Sequence, residues 1–328
     1  MHAESDNERT ELRGTVLDGR YRMGACIGMG GTGLVFEARD LELGREVALK
    51  MLQRRFASNP DLCRRLRREG QVARTVSHPS VVAIYDQGLM SDGSPYAVME
   101  RVTGECLARV FSRYQTLSPQ EVAALGIRVA AVLHRVHRLG YTHRDLKPEH
   151  VLLQRHSNGE LRVQLLDFGV CASLTMSPEE RRLENGRVYG TPHYVSPEQA
   201  AGNPYVDGRA DLYSLGVILF QGLTGRLPFN GNHVPTLLSR IMLEDAPRVG
   251  LIAQHIDRDM DAIIARALAR KREDRFQNAR AIARALSYHV LDRREVESTI
   301  ASKLVMSHES YDQSPTMQDL RARREAAA

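Results

Sequence analysis

The strongest constraint on the fold is a change of hydrophobic period near residue 100. From Tyr21 to about Glu100 the chain reads as short apolar strands, "GLVFEARD", "REVALKML", "VVAIYDQGL" and "PYAVMERV", with one helical segment, "NPDLCRRLRREGQVARTV", between them. Beyond "RVTGEC" the apolar residues recur at helical spacing. "SPQEVAALGIRVAAVLHRVHRLG" opens on a serine cap followed by proline and ends at Gly140, and "DLYSLGVILFQGLTG" and "RDMDAIIARALARKREDRF" continue the pattern. Such a chain is expected to be α+β and bilobal: a small β-rich lobe with one main helix over residues 20–100, then a larger, mainly α-helical lobe over 101–291. Residues 1–19 read as a flexible extension. Residues 292–328, with mixed charge and few large apolar side chains, read as a polar tail.

Composition narrows the function. With 328 residues, 42% hydrophobic and 26% charged, the chain can build a real core. Its net charge of +5 is spread along the sequence and aromatics are only 5%, which argues against nucleic acid as a partner. Cys26, Cys63, Cys106 and Cys171 form no C-x-x-C pair, so neither a zinc site nor a disulfide framework is expected. The start "MHAESDNERTEL" lacks an apolar signal core, and "LYSLGVILFQGL" falls short of the roughly 20 residues of a membrane span. A cytoplasmic protein with no membrane span is the expectation.

"GMGGTGLVF" sets Gly28, Gly30 and Gly33 between two strand-like runs, where backbone without Cβ atoms can approach an anionic ligand. A dinucleotide fold would want a helix next, yet a strand follows and reaches "VALK". "HRDLKP", "DFG", "GTPHYVSPE", "DLYSLG" and "DRF" then appear in one order over about residues 20–290. The chain resembles a bacterial serine/threonine protein kinase of the eukaryotic (Hanks) type.

That resemblance implies ATP as cofactor with Mg2+ or Mn2+, protein substrates bearing Ser/Thr acceptors, and roles for particular residues. Lys50 would hold the α- and β-phosphates and pair with Glu69. Val35, Ala48 and Leu152 would wall the adenine, and the backbone of Met99, Glu100 and Val102 would form the hinge. Asp145 would orient the substrate hydroxyl, Lys147 would steady the transferring phosphoryl group, and Asp167 would bind metal. Thr191 would line the acceptor pocket. Glu198 with Arg275, and Asp211, would be structural. Thr175, then Ser173 and Ser177, are the candidate phosphosites of the activation segment, facing Arg144. A small-molecule phosphotransferase would share the nucleotide residues, but "GTPHYVSPE" favours a protein acceptor.

One position departs from the pattern. The family loop reads "HRDLKPEN", and its asparagine gives an amide oxygen to the second metal; here His150 stands in its place. Imidazole nitrogen is softer than the oxygen ligands magnesium prefers and suits manganese or zinc better. Three readings follow: an active kinase with altered metal use, a nucleotide-binding pseudokinase acting as scaffold or allosteric regulator, and a bystander histidine. The intact Lys50, Glu69, Asp145, Lys147 and Asp167 favour catalysis. Activity is then expected to fall as pH drops through the histidine's titration range.

Overall fold

The computed structural model describes residues 10–76, 78–155, 160–168, 172–173 and 192–304, with backbone alone at 172–173. The described chain divides into two compact units, one of residues 10–74 and 82–105, the other of 75–81 and 106–304.

The first unit is an antiparallel sheet of β1 (Val16–Leu17), β2 (Tyr21–Met29), β3 (Gly33–Asp40), β4 (Arg45–Leu52), β5 (Ile84–Leu89) and β6 (Pro95–Glu100), in the order β1-β2-β3-β4-β6-β5. Period-two alternation sorts its faces. Leu34, Phe36 and Ala38 of β3 join Val47, Leu49 and Met51 of β4, with Tyr21, Met23, Tyr96 and Val98, in one buried cluster. Ala48 and Lys50 of β4 therefore point to the opposite face. Helix α1 (Pro60–Val76) covers that face, packing Leu62 and Leu66 on Leu52 and Ala97. Glu69 lies one turn beyond Leu66 on the inward side, which is why a carboxylate there is 5% exposed.

The second unit is mainly helical. β7 (Glu105–Cys106) leads to α2 (Leu107–Tyr114) and α3 (Pro119–Arg138), where Ser118 and Glu121 form the reciprocal cap that the sequence motif announces. β8 (Tyr141–Thr142) pairs with β11 (Ala172–Ser173), and β9 (Val151–Arg155) forms a hairpin with β10 (Leu161–Leu165). Then come α4 (Pro197–Ala200), α5 (Arg209–Thr224), α6 (Val234–Leu243), α7 (Arg258–Ala267), α8 (Ala279–Ser287) and α9 (Arg293–Lys303). Helix α5 is buried on nearly all sides, as the apolar run from Leu215 to Phe220 requires, and stops at Gly225, whose φ of 67° a side chain would strain. Among the described residues no helix is long and apolar enough to cross a membrane.

Three sequence expectations are corrected. Residues 10–19 are not a flexible extension: Val16 and Leu17 pair with Arg22 and Tyr21 as the edge strand β1, and Leu12 and Leu17 pack against the buried cluster of the sheet. Residues 293–303 are a docked helix and not part of a polar tail. Val296, Ile300 and Ala301 are buried against the unit, and the charges that suggested solvent are consumed in pairs: Glu297 takes Arg128 at 2.5 Å and Arg293 at 2.7 Å, and Lys303 reaches Glu121 at 2.6 Å. Helical period in "RDMDAIIARALARKREDRF" continues only to Ala267. Past it the carbonyls of Ala269 and Arg270 turn to accept hydrogen bonds from Arg275, at 2.7 and 2.9 Å.

Candidate active site

In the first unit, the glycine segment is a hairpin between β2 and β3. The Gly30 amide donates to the Gly33 carbonyl at 2.9 Å, and the buried Gln53 steadies the loop by donating Nε2–H to Gly30 O at 2.8 Å. A Cβ on Gly33 would lie 3.0 Å from the Met51 carbonyl oxygen, so this position favours glycine. Gly28 pairs with Val35 across the hairpin, and Val35 in turn with Lys50. The Lys50 ammonium donates to both Glu69 oxygens, at 2.7 and 3.0 Å. Strand pairing sets Ala48 opposite Met99, and the Glu100 amide donates to Ala83 O at 2.8 Å, fixing the segment before Val102.

In the second unit, the loop from His143 to His150 hangs from one carboxylate. Asp211, fully buried on α5, accepts the amides of His143 at 2.9 Å and Arg144 at 2.8 Å and the Nε2–H of His137 at 2.7 Å. Burial alone would raise its pKa, but the His137 bond and the neighbouring amides hold it below the usual carboxylate range. Arg144 and Asp167 take φ of 65° and 60°, left-handed backbone that costs about 1–3 kcal/mol per non-glycine residue and is held here by the surrounding bonds. His143 donates Nε2–H to Leu166 O at 3.1 Å and its ring lies 4.9 Å from that of Phe168, which is 2% exposed. These contacts tie the segment before Asp167 to the loop bearing Asp145.

Lys147 Nζ donates to Asp145 Oδ2 at 3.2 Å. Burial works against its charge, yet Asp145, Glu149 and Asp167 outweigh it and lift the ammonium above its ordinary pKa. Leu152 is buried on β9, outside this polar cluster.

His150 is the informative departure. Its Nδ1 lies 2.7 Å from the Asp145 backbone carbonyl, which can only accept, so Nδ1 carries the proton. The Nε2 lone pair is left facing Asp167, 3.6 Å from Oδ2. Burial first, then the positive Lys147, press the imidazole pKa down to about 4. The expected loss of activity near a histidine's ordinary titration range is therefore moved well below it.

Glu198 and Arg275 form a two-pronged pair at 2.8 and 2.8 Å, with the Arg275 side chain 0% exposed. Thr191, Thr175 and Ser177 lie outside the described residues. Ser173 is described only as backbone, paired with Tyr141 in β8. Three further residues escape motif reading: Gln53, His137, and Gln199, whose Nε2–H meets Arg144 O at 2.8 Å. His137 left one signal, a histidine six residues before His143 on a helix that ends beside the loop.

The family model described as protein kinase domain matches residues 21–287. A probable serine/threonine-protein kinase of Streptomyces coelicolor is 37% identical over 266 residues, covering 80% of this chain and 39% of its own length. PknB of Mycobacterium tuberculosis is 35% identical, covering 80% of this chain and 42% of its own, and pkn3 of Myxococcus xanthus 35%, covering 88% and 53%. The chain thus spans about half the length of these relatives or less. The crystal structure of the Mycobacterium tuberculosis PknI kinase domain superposes with a TM-score of 0.66 at 27% identity, over 84% of this chain and 98% of that one. Sequence, fold and loop architecture agree: the chain belongs to the protein kinase family.

Proposed function

We propose that this chain transfers the γ-phosphoryl group of ATP to serine and threonine hydroxyls of proteins, with His150 serving as a nitrogen ligand where relatives use an amide oxygen. The observation that carries the reading is the His150 tautomer. By donating Nδ1–H to the Asp145 carbonyl, the ring does what an amide NH2 would do, and its other nitrogen presents a lone pair beside Asp167, 3.6 Å away. The donor set fits a divalent ion of the kind that keeps several waters and substrate phosphates among its ligands, for which one or two protein groups suffice. Such an ion, bound by Asp167 and His150, would neutralise charge on the phosphates.

The other steps belong to the chain's own side chains. Lys50, held by Glu69, binds the α- and β-phosphates. Asp145 accepts the hydroxyl proton and aims the oxygen; Lys147, kept charged by three carboxylates, stabilises negative charge on the moving phosphoryl group. The lysine at position 147 supports a serine or threonine acceptor.

Radiolabelled phosphate transfer to a protein acceptor, with magnesium and manganese compared, tests the reading, with Asp145→Asn as control. Transfer that favours manganese and vanishes in the control is expected. ATP binding without transfer under either ion would replace it with a nucleotide-binding scaffold.

A further inference from the structure

Helices α7 and α8 and the turn between them bound a concavity of about 470 Å3, lined by Arg266, Phe276, Asn278, Arg280, Arg284 and Tyr288 among others. It shares no residue with the catalytic loop. No carboxylate lines it. Four acids of the surrounding segment are engaged elsewhere: Asp261 with Arg248 at 2.6 Å, Glu273 with Arg272 at 3.1 Å, Glu198 with Arg275, and Asp257 as the cap of α7. Among the described residues, Arg266, Arg280 and Arg284 have no ion-pair partner.

Their arrangement suits an anion. The Arg266 guanidinium lies over Phe276, 4.6 Å from the ring centroid, and the residue is exposed; a guanidinium carries N–H donors suited to a forked contact with an anion. Arg280 and Arg284 are four apart on α8, adjacent on one face, where like charges repel unless a counter-charge joins them. The positive field reaches His134, whose pKa is lowered first by burial and then by Arg280. Three guanidiniums exceed what one carboxylate, with two oxygens and a single charge, would match. A phosphate monoester offers three acceptor oxygens and nearly two charges.

We propose that this concavity binds a phosphorylated serine or threonine side chain of a protein. The choice of a peptide follows from the walls. The rim is open, Tyr288 is 74% exposed beside the arginines, and Phe276 gives an apolar floor, so flanking residues of a peptide can lie across it while no enclosed slot exists for a base. The proposal rests on the kinase reading for the origin of the phosphate: the loop bearing Asp145 makes the group that the arginines hold, retaining a phosphorylated substrate protein.

The test is fluorescence anisotropy on the full chain, using a labelled alanine-glycine peptide with one phosphothreonine and its unphosphorylated twin. The phosphopeptide should bind and the twin should not. Arg280→Gln/Arg284→Gln should weaken binding by about tenfold or more, since each charge-assisted contact carries at least that factor. Arg266→Gln should act in the same direction. These side chains are exposed, so the variants keep their fold, which an unchanged melting temperature verifies. Equal binding of the twin, undiminished binding by the double variant, or displacement of the peptide by phosphatidylserine vesicles and not by inorganic phosphate would each overturn the proposal. The rise in melting temperature with ATP, read on the same samples, separates the two readings: its loss counts against the kinase assignment, whereas anisotropy alone decides the concavity.

Discussion

Replacing Arg275 by methionine keeps most of the side-chain volume and removes the charge. In the wild type the guanidinium donates to both Glu198 oxygens at 2.8 Å and to the carbonyls of Ala269, Arg270 and Arg209 at 2.7, 2.9 and 3.2 Å, while stacking 4.9 Å over Tyr213. The variant strands a nearly buried carboxylate and leaves those carbonyls without this donor. Removing one partner of a buried pair costs about 3–5 kcal/mol. At roughly 2–4 °C per kcal/mol for a unit of this size, the melting temperature should fall by about 6–20 °C. Glu198→Gln keeps an oxygen acceptor for one prong and should cost less. Glu198→Leu combined with Arg275→Met removes the orphaned carboxylate and should recover part of the loss, so the two changes are not additive. Urea denaturation followed by circular dichroism measures these three and Glu198→Leu alone, the fourth member that additivity requires. If Arg275→Met costs under about 1 kcal/mol, or the double variant costs the full sum of the single changes, the pair is not the fastening it is taken to be.

Other expectations can be checked alongside. ATP with a divalent ion should raise the melting temperature of the wild type and raise it less in Lys50→Met, because ligand bound only by the folded state stabilises by mass action. His150→Asn restores an amide oxygen and should raise magnesium-supported transfer by about 10–100-fold while narrowing the preference for manganese; identical metal profiles in the two proteins would make the histidine a bystander. His150 and His193 are both buried and held neutral, so the unfolded chain takes up protons below pH about 6.5 that the folded chain refuses. Stability should therefore be lost as pH falls from there, and His193→Gln should flatten the slope by at most about 1.4 kcal/mol per pH unit in urea melts at pH 7, 6 and 5; parallel slopes would refute it.

What was legible in the sequence was what is local. The strands "GLVFEARD" and "REVALKML" coincide with β3 and β4 because alternation of two is written along the chain, and the Ser118 cap of α3 because its partner Glu121 is three residues away. The Lys50 to Glu69 pair was readable only through the family pattern, since its partners stand nineteen positions apart. His137, Gln53 and Gln199 were missed: the bonds by which they steady the site run to residues 74, 23 and 55 positions away, and a lone polar side chain gives no periodic signal. Helix α9 was hidden for a related reason. Its charges resemble solvated ones until Arg128, which lies 169 positions before Glu297, is brought against it.

Helix α9 also fixes where this domain can be cut. The family match stops at residue 287, yet Val296, Ile300 and Ala301 complete the packing of the helical unit, and both Arg113 and Tyr114 donate to the Lys303 carbonyl at 3.1 and 3.2 Å. A border drawn from family resemblance would strip Glu297 from Arg128 and bare the apolar surface those side chains cover. A protease acting on the native protein should instead leave helix α9 attached to the helical unit, so the unit in which the His143 to His150 loop is stable is longer than the one its motifs delimit.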